Sequence, residues 1–135
     1  MKRAILSVLA AFMFLGLTLS ISDAKNNKTV IDVLYFHATI RCQSCLDIER
    51  NAKSTMDELY TNEIKSGKMT FASLDFLEPE NEKYSKKYDF DNQVLIISKK
   101  VNGKEVKWKN LDKIWEYSGD YNKFRDYVKK EIEKL

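Results

Sequence analysis

One stretch constrains the fold more than any other: Ile31-Asp32-Val33-Leu34-Tyr35-Phe36-His37-Ala38-Thr39-Ile40-Arg41-Cys42-Gln43-Ser44-Cys45. Its first half is apolar, β-branched and aromatic, broken only by Asp32. A run that is apolar at nearly every position fits a strand covered on both faces, as in an α/β domain. From Cys42 the period changes. Cys45, Ile48, Ala52, Met56 and Leu59 recur every three or four residues, while Asp47, Glu49, Arg50, Lys53 and Glu58 fill other positions. That pattern is an apolar stripe along a helix. The chain's two cysteines thus stand at a strand–loop–helix junction, two residues apart. Free N–H groups and the macrodipole at a helix start favour a thiolate there, which makes Cys42 and Cys45 the first candidates for chemistry.

The remaining segments predict a scaffold around this junction. Ser66-Gly67 ends one long helix begun at Cys42, with glycine just past the helix. Met69 to Phe76 reads as a second strand. Glu78-Pro79-Glu80 starts a short helix, proline being tolerated in a first turn. Tyr84 and Tyr88, one turn apart, read as packing residues. Val94 to Ile97 predicts a third strand, and Asn102-Gly103 a tight hairpin into a fourth, where Val106 and Trp108 alternate with lysines. Leu111, Ile114 and Trp115 suggest a brief helical segment ending near Ser118-Gly119. Asp120 caps a final helix whose Phe124, Val128 and Ile132 share one face. The first crossover helix requires parallel, right-handed pairing of strands one and two. The expected product is an α/β domain over residues 25–135: a four-stranded mixed sheet with helices on both faces.

Residues 1–24 read differently. Lys2 and Arg3 precede an apolar run from Ala4 to Ile21, and Ser22-Asp23-Ala24 supplies small residues for cleavage. This is the pattern of an export signal, and the run is also long enough for a retained N-terminal anchor. No cysteine lies near the cleavage region, so lipid attachment there is excluded. Either reading sets the domain outside the cytoplasm, periplasmic or extracellular, where disulfides persist. A formal charge of +3, from 23 basic and 20 acidic residues, is too balanced to predict a nucleic-acid partner.

The element order, with the cysteine pair at the end of strand one and the start of helix one, resembles the thioredoxin fold. The wording Tyr35-Phe36-His37-Ala38-Thr39 followed by Arg41-Cys42-Gln43-Ser44-Cys45 is similar to one branch of that superfamily, the small exported bacterial ArsF-type proteins labelled nitrophenyl compound nitroreductase subunit. The resemblance covers Val30 to Leu135 and implies Cys42 as nucleophile and Cys45 as resolving thiol. No flavin-binding motif accompanies it, and no cofactor is expected. The chain departs from thioredoxins in three places. Asn92-Gln93 stands where a cis-proline usually precedes strand three. The loop before Cys42 is about one residue longer, with Ile40-Arg41 in place of the usual tryptophan. Tyr35 falls nearest to the position of the usual buried acid.

These residues support competing chemistries. An exported thiol–disulfide oxidoreductase or redox subunit uses Cys42 and Cys45 against protein thiols or disulfides of an exported or membrane partner. Arg41 then lends positive charge to Cys42, Gln93 lines the groove, and Tyr35 and His37 are candidate modulators. A soft-metal module uses Cys42 and Cys45 as thiolates with His37 as a third ligand. Closed zinc sites need four ligands, so Cu(I) fits this set better. A non-catalytic interaction domain, or a permanently closed structural disulfide, completes the alternatives.

Overall fold

The computed structural model describes residues 27–135, and the predicted signal or anchor of residues 1–24 lies outside the described residues. The first strand, β1 (Thr29–His37), is bonded on both sides. It runs parallel to β2 (Met69–Asp75), with Val33 opposite Phe71 and Tyr35 opposite Ser73. It runs antiparallel to β3 (Val94–Val101), with Phe36 opposite Val94. β4 (Lys104–Asn110) pairs antiparallel with β3, giving the order β2-β1-β3-β4. Asn102 and Gly103 both take left-handed φ, 53° and 79°, as a two-residue hairpin requires.

Side chains of β1 alternate between two cores, which is why the strand is apolar throughout. Val33 and Tyr35 pack on one face with Ile48, Ala52 and Met56 of α1 (Gln43–Leu59) and with Phe124, Val128 and Ile132 of α4 (Tyr121–Glu133). Phe36 and Ile96 pack on the other face with Tyr88 of α3 (Glu82–Tyr88), joined by Leu34, Leu74, Tyr84 and Phe90. Asp32, the polar exception, is 7% exposed, accepts the Thr70 hydroxyl at 2.7 Å and pairs with Lys100. This β-α-β-α-β-β-α path, with helices on both faces of a mixed four-stranded sheet, is the thioredoxin-like arrangement that the residues predict.

Two helix boundaries differ from expectation. The long first helix does not reach Ser66: it ends at Leu59, and α2 (Thr61–Lys65) follows after Tyr60 leaves helical geometry at φ −129°, ψ 20°. The bend lets both Tyr60 and Ile64 pack against the larger core. The helix expected from Glu78-Pro79 begins only at Glu82. Asp75 takes the intervening residues into turns, its carboxylate accepting Leu77 N–H and its carbonyl accepting Glu78 N–H and the Asn81 side-chain amide.

Tyr84 and Tyr88 are packing residues: both rings lie against Phe36, with centroids 5.2 and 6.2 Å away. Below them Glu105 joins the strands to α3, accepting from Tyr88 at 2.7 Å and Ser98 at 2.5 Å and pairing with Lys87 at 3.0 Å. Burial pushes the Glu105 carboxyl upward, but these three donors outweigh it and hold the group below its ordinary range.

The core makes a stability test direct. Ile48→Ala, which empties a fully buried position, is expected to lower unfolding free energy by about 2–5 kcal/mol. Val106→Ala, at a 56% exposed position, should stay within about 0.5 kcal/mol. Urea unfolding of the oxidised proteins reads both.

Candidate functional site

β1 delivers the chain to the edge of the sheet where the cysteines lie. After His37 the chain turns through Ala38–Arg41, and Cys42 becomes the N-cap of α1 with extended backbone, φ −77° and ψ 168°. Its sulfur accepts the Cys45 N–H at 3.3 Å, satisfying one of the free donors of a helix start. Cys42 and Cys45 form a disulfide with Cα atoms 5.1 Å apart. The two sulfurs have opposite surroundings: Cys42 is exposed, whereas Cys45 is 2% exposed and belongs to the buried apolar set. One turn of helix thus presents one sulfur to solvent and hides the other.

The loop is pinned at both ends. The Thr39 hydroxyl donates to Asp75 at 2.6 Å, and Phe76 N–H donates to the His37 carbonyl at 2.9 Å. The Thr39 hydrogen bond, helped by Leu77 N–H and the positive charge of Arg41, holds the Asp75 carboxyl below its ordinary range against some desolvation. Two large apolar side chains stand exposed beside this anchor. Ile40 is 89% exposed and Leu77 61% exposed, on the two loops that Thr39 and Asp75 join.

Each residue singled out in the sequence now has a place. Tyr35 is fully buried under the start of α1, and its hydroxyl donates to the Cys45 carbonyl at 2.9 Å. Burial first, then the negative charge of Glu49 against the opposing charge of Arg41, pushes its phenol up to about 12, so it stays a hydrogen-bond donor at physiological pH. His37 is 7% exposed at the end of β1. Its Nδ1 donates to the Ala38 carbonyl at 3.0 Å, and its ring lies 5.9 Å from that of Tyr35.

Gln93 immediately precedes Val94, the partner of Phe36, and so stands beside the end of β1. Its carbonyl accepts the Trp115 indole N–H at 3.2 Å, and both residues line a small cavity of about 200 Å³ with Asn92, Asn110 and Asp112. No peptide bond among the described residues is cis. Arg41 does not stand free beside Cys42; it pairs with Glu49. Among the described residues no group of three or more His, Cys, Asp or Glu side chains is gathered closely enough to hold a metal ion.

Two residues that matter here escaped the sequence reading. Glu49 fills a position off the apolar stripe of the helix, yet it follows Cys42 by seven residues and therefore returns to the same side of α1. Trp115 was read as part of an apolar helical segment, and only the folded chain brings it to Gln93 across 22 residues.

No protein-family model and no curated protein matches the chain. Solved structures to which it is similar include a malarial protein, at 18% identity, covering 75% of this chain and 96% of the other, with TM-score 0.45. They also include thioredoxin-2, a component of malaria parasite protein secretion machinery, at 18% identity, covering 61% of this chain and 70% of the other, with TM-score 0.40.

Tyr35 offers a test of how the sheet holds the motif. Tyr35→Phe removes one buried hydrogen bond and should cost about 0.5–1.5 kcal/mol of stability at neutral pH. In the wild type, a phenol with pKa about 12 folded and about 10 unfolded contributes stability that is intact below pH 10 and lost as pH rises through 12. Denaturant midpoints measured from pH 9 to 12 should fall less steeply in Tyr35→Phe than in wild type. An equal slope in the two proteins would remove Tyr35 from that account.

Proposed function

We propose that this protein is an exported thiol–disulfide oxidoreductase, or a redox subunit of a larger electron-transfer system, acting on protein thiols or disulfides. The observation that carries the reading is the asymmetry of the pair: an exposed sulfur at a helix N-cap bonded to a buried one a turn later. A bridge between two positions of one helical turn, with a sequence separation of 3, ties no separate elements together. Its chain-entropy contribution, about 2 kcal/mol, is below the ~3 kcal/mol of a 15-residue loop. Structural stabilisation accounts poorly for such a bond, and reversible exchange accounts for it well.

In the reducing direction, the Cys42 thiolate attacks one sulfur of a partner disulfide. That disulfide breaks, its other sulfur leaves as a thiolate and takes up a proton, and a mixed disulfide joins Cys42 to the partner. Cys45, deprotonated, attacks the Cys42 sulfur; the Cys42–partner bond breaks and the second partner thiolate departs. Two electrons have passed from the dithiol to the partner, and the Cys42–Cys45 bond has re-formed. The reverse sequence oxidises a partner dithiol, the direction being set by relative reduction potentials.

Export rests on Lys2, Arg3, the apolar run Ala4–Ile21 and the small residues before Lys25, together with the placement of an oxidised pair. Among the described residues no helix is long and apolar enough to cross a membrane, so an anchored form would depend on residues 1–24. Kinship with the ArsF-type nitroreductase subunits rests on the Tyr35–Cys45 wording alone. Under that kinship the cysteine pair remains the redox centre.

Trapping distinguishes the roles of the sulfurs. Cys45→Ser should accumulate mixed disulfides with protein partners on Cys42, visible as adducts on non-reducing gels, whereas Cys42→Ser should trap none. Adducts on Cys45 in Cys42→Ser with none in Cys45→Ser reverse the assignment. Failure of the reduced wild-type pair to exchange with glutathione disulfide overturns the redox reading itself.

A further inference from the structure

The charge beside the nucleophile is not disposed as a lone arginine next to a cysteine suggests. Arg41 directly precedes Cys42, yet its guanidinium reaches along α1 to the Glu49 carboxylate. Seven residues turn a helix through two turns less about 20°. Glu49 therefore stands on the side of α1 that carries Cys42, roughly 10 Å further along the axis. Side-chain exposures of 28% for Arg41 and 26% for Glu49 remove the pair from the fully solvated regime in which ion pairs are screened to near nothing.

We propose that Glu49 is a positioning residue for the redox pair: it holds the Arg41 guanidinium against the flank of α1 and so withholds that charge from the Cys42 sulfur. The inference deepens the redox reading of Cys42 and rests on it for its functional consequence.

Neighbouring groups leave Glu49 as the partner for Arg41. The first turn of α1 contains no acidic residue. Asp47 is occupied by the Gln43 amide at 3.0 Å and by Arg50 at 2.6 Å. Asp75, which also senses Arg41, is bonded to Thr39 and Leu77 N–H. His37, the other basic group near the loop, is turned to the Ala38 carbonyl. The buried hydroxyl of Tyr35, bonded to the Cys45 carbonyl, feels Glu49 and Arg41 with opposite sign, so the two charges act together on the inner side of the motif. With the pair intact, the sulfur of Cys42 depends for its stabilisation on the helix start and the Cys45 N–H. With Glu49 neutral, the guanidinium is free to swing back over Cys42 and adds to both.

The test is a double-mutant cycle on the reduced full-length protein, reading the rate of iodoacetamide alkylation mapped to Cys42 at pH 6.5, where the rate follows the thiolate fraction. Glu49→Gln is expected to raise the rate about two- to fivefold, the range that a helix-terminal charge supplies. Arg41→Gln alone should change it less than twofold, while in the Glu49→Gln background the same substitution should slow it two- to fivefold. Equal effects of Arg41→Gln in both backgrounds overturn the proposal. The reduction potential of the pair in the same four proteins supplies a second readout and should show the same non-additivity. Far-UV circular dichroism of the oxidised forms verifies that each variant keeps the fold. Alkylation needs no exchange partner. A protein that shows the coupling but fails to exchange with glutathione disulfide therefore retains this inference and loses the redox function.

Discussion

The double burial of β1 is the constraint on which the remainder of the molecule depends. A strand bonded to neighbours on both sides and packed on both faces has to be apolar at successive positions, and Val33 to Phe36 are. Val33 and Tyr35 close the core under α1 and α4, while Leu34 and Phe36 close the smaller one under α3. Because the strand is central, its end is held from both sides, by Phe76 N–H to the His37 carbonyl and by the pairing of Phe36 with Val94. A short loop leaving so fixed a point has little freedom. The position of Cys42 follows from the sheet more than from the loop's own residues.

That rigidity turns a two-residue spacing into a division of labour. At the helix start the chain passes from solvent into the core within one turn, so three residues separate an exposed sulfur from one that is 2% exposed. An anion at Cys42 meets water and the Cys45 N–H of the helix start; an anion at Cys45 meets apolar side chains. The desolvation cost falls on the inner sulfur, and nucleophilic character on the outer one. Tyr35 sharpens the division. Its hydroxyl donates to the Cys45 carbonyl, which ties the first turn of α1 to the central strand.

How far the sequence revealed this depended on the range of the interaction. The strand, the helix stripe, the Asn102-Gly103 hairpin and the Asp120 cap are local patterns, and each appears where its residues predict it. The inward turn of Cys45 was also legible, because Cys45, Ile48 and Ala52 are spaced for one helix face. Boundaries set by tertiary contacts were not. Tyr60 breaks a helix that its neighbours favour because its ring and Ile64 find the core together, and Asp75 holds back the start of α3 through bonds formed only once β2 is in place. At the site, the residue types pointed to Cys42, Cys45, Arg41 and Tyr35, but the partners of Arg41 and Gln93, namely Glu49 and Trp115, became visible only when separate segments met.

Magnitudes then decide how strongly the scaffold drives the chemistry. A helix terminus contributes about 0.3–1 kcal/mol to a charge at its start, and a single partly exposed neighbouring charge contributes a similar amount. At 1.36 kcal/mol per pKa unit, neither alone carries a thiol from about 8.5 to the most acidic values found in C-x-x-C motifs. In the proposed role of Glu49, its pairing with Arg41 withholds the second contribution while the helix start supplies the first. An attacking thiol whose acidity stays near ambient pH keeps more of its intrinsic nucleophilicity than a strongly acidified one. In the proposed exchange the exposed sulfur at the helix start is the one placed to attack, and the buried sulfur the one placed to resolve.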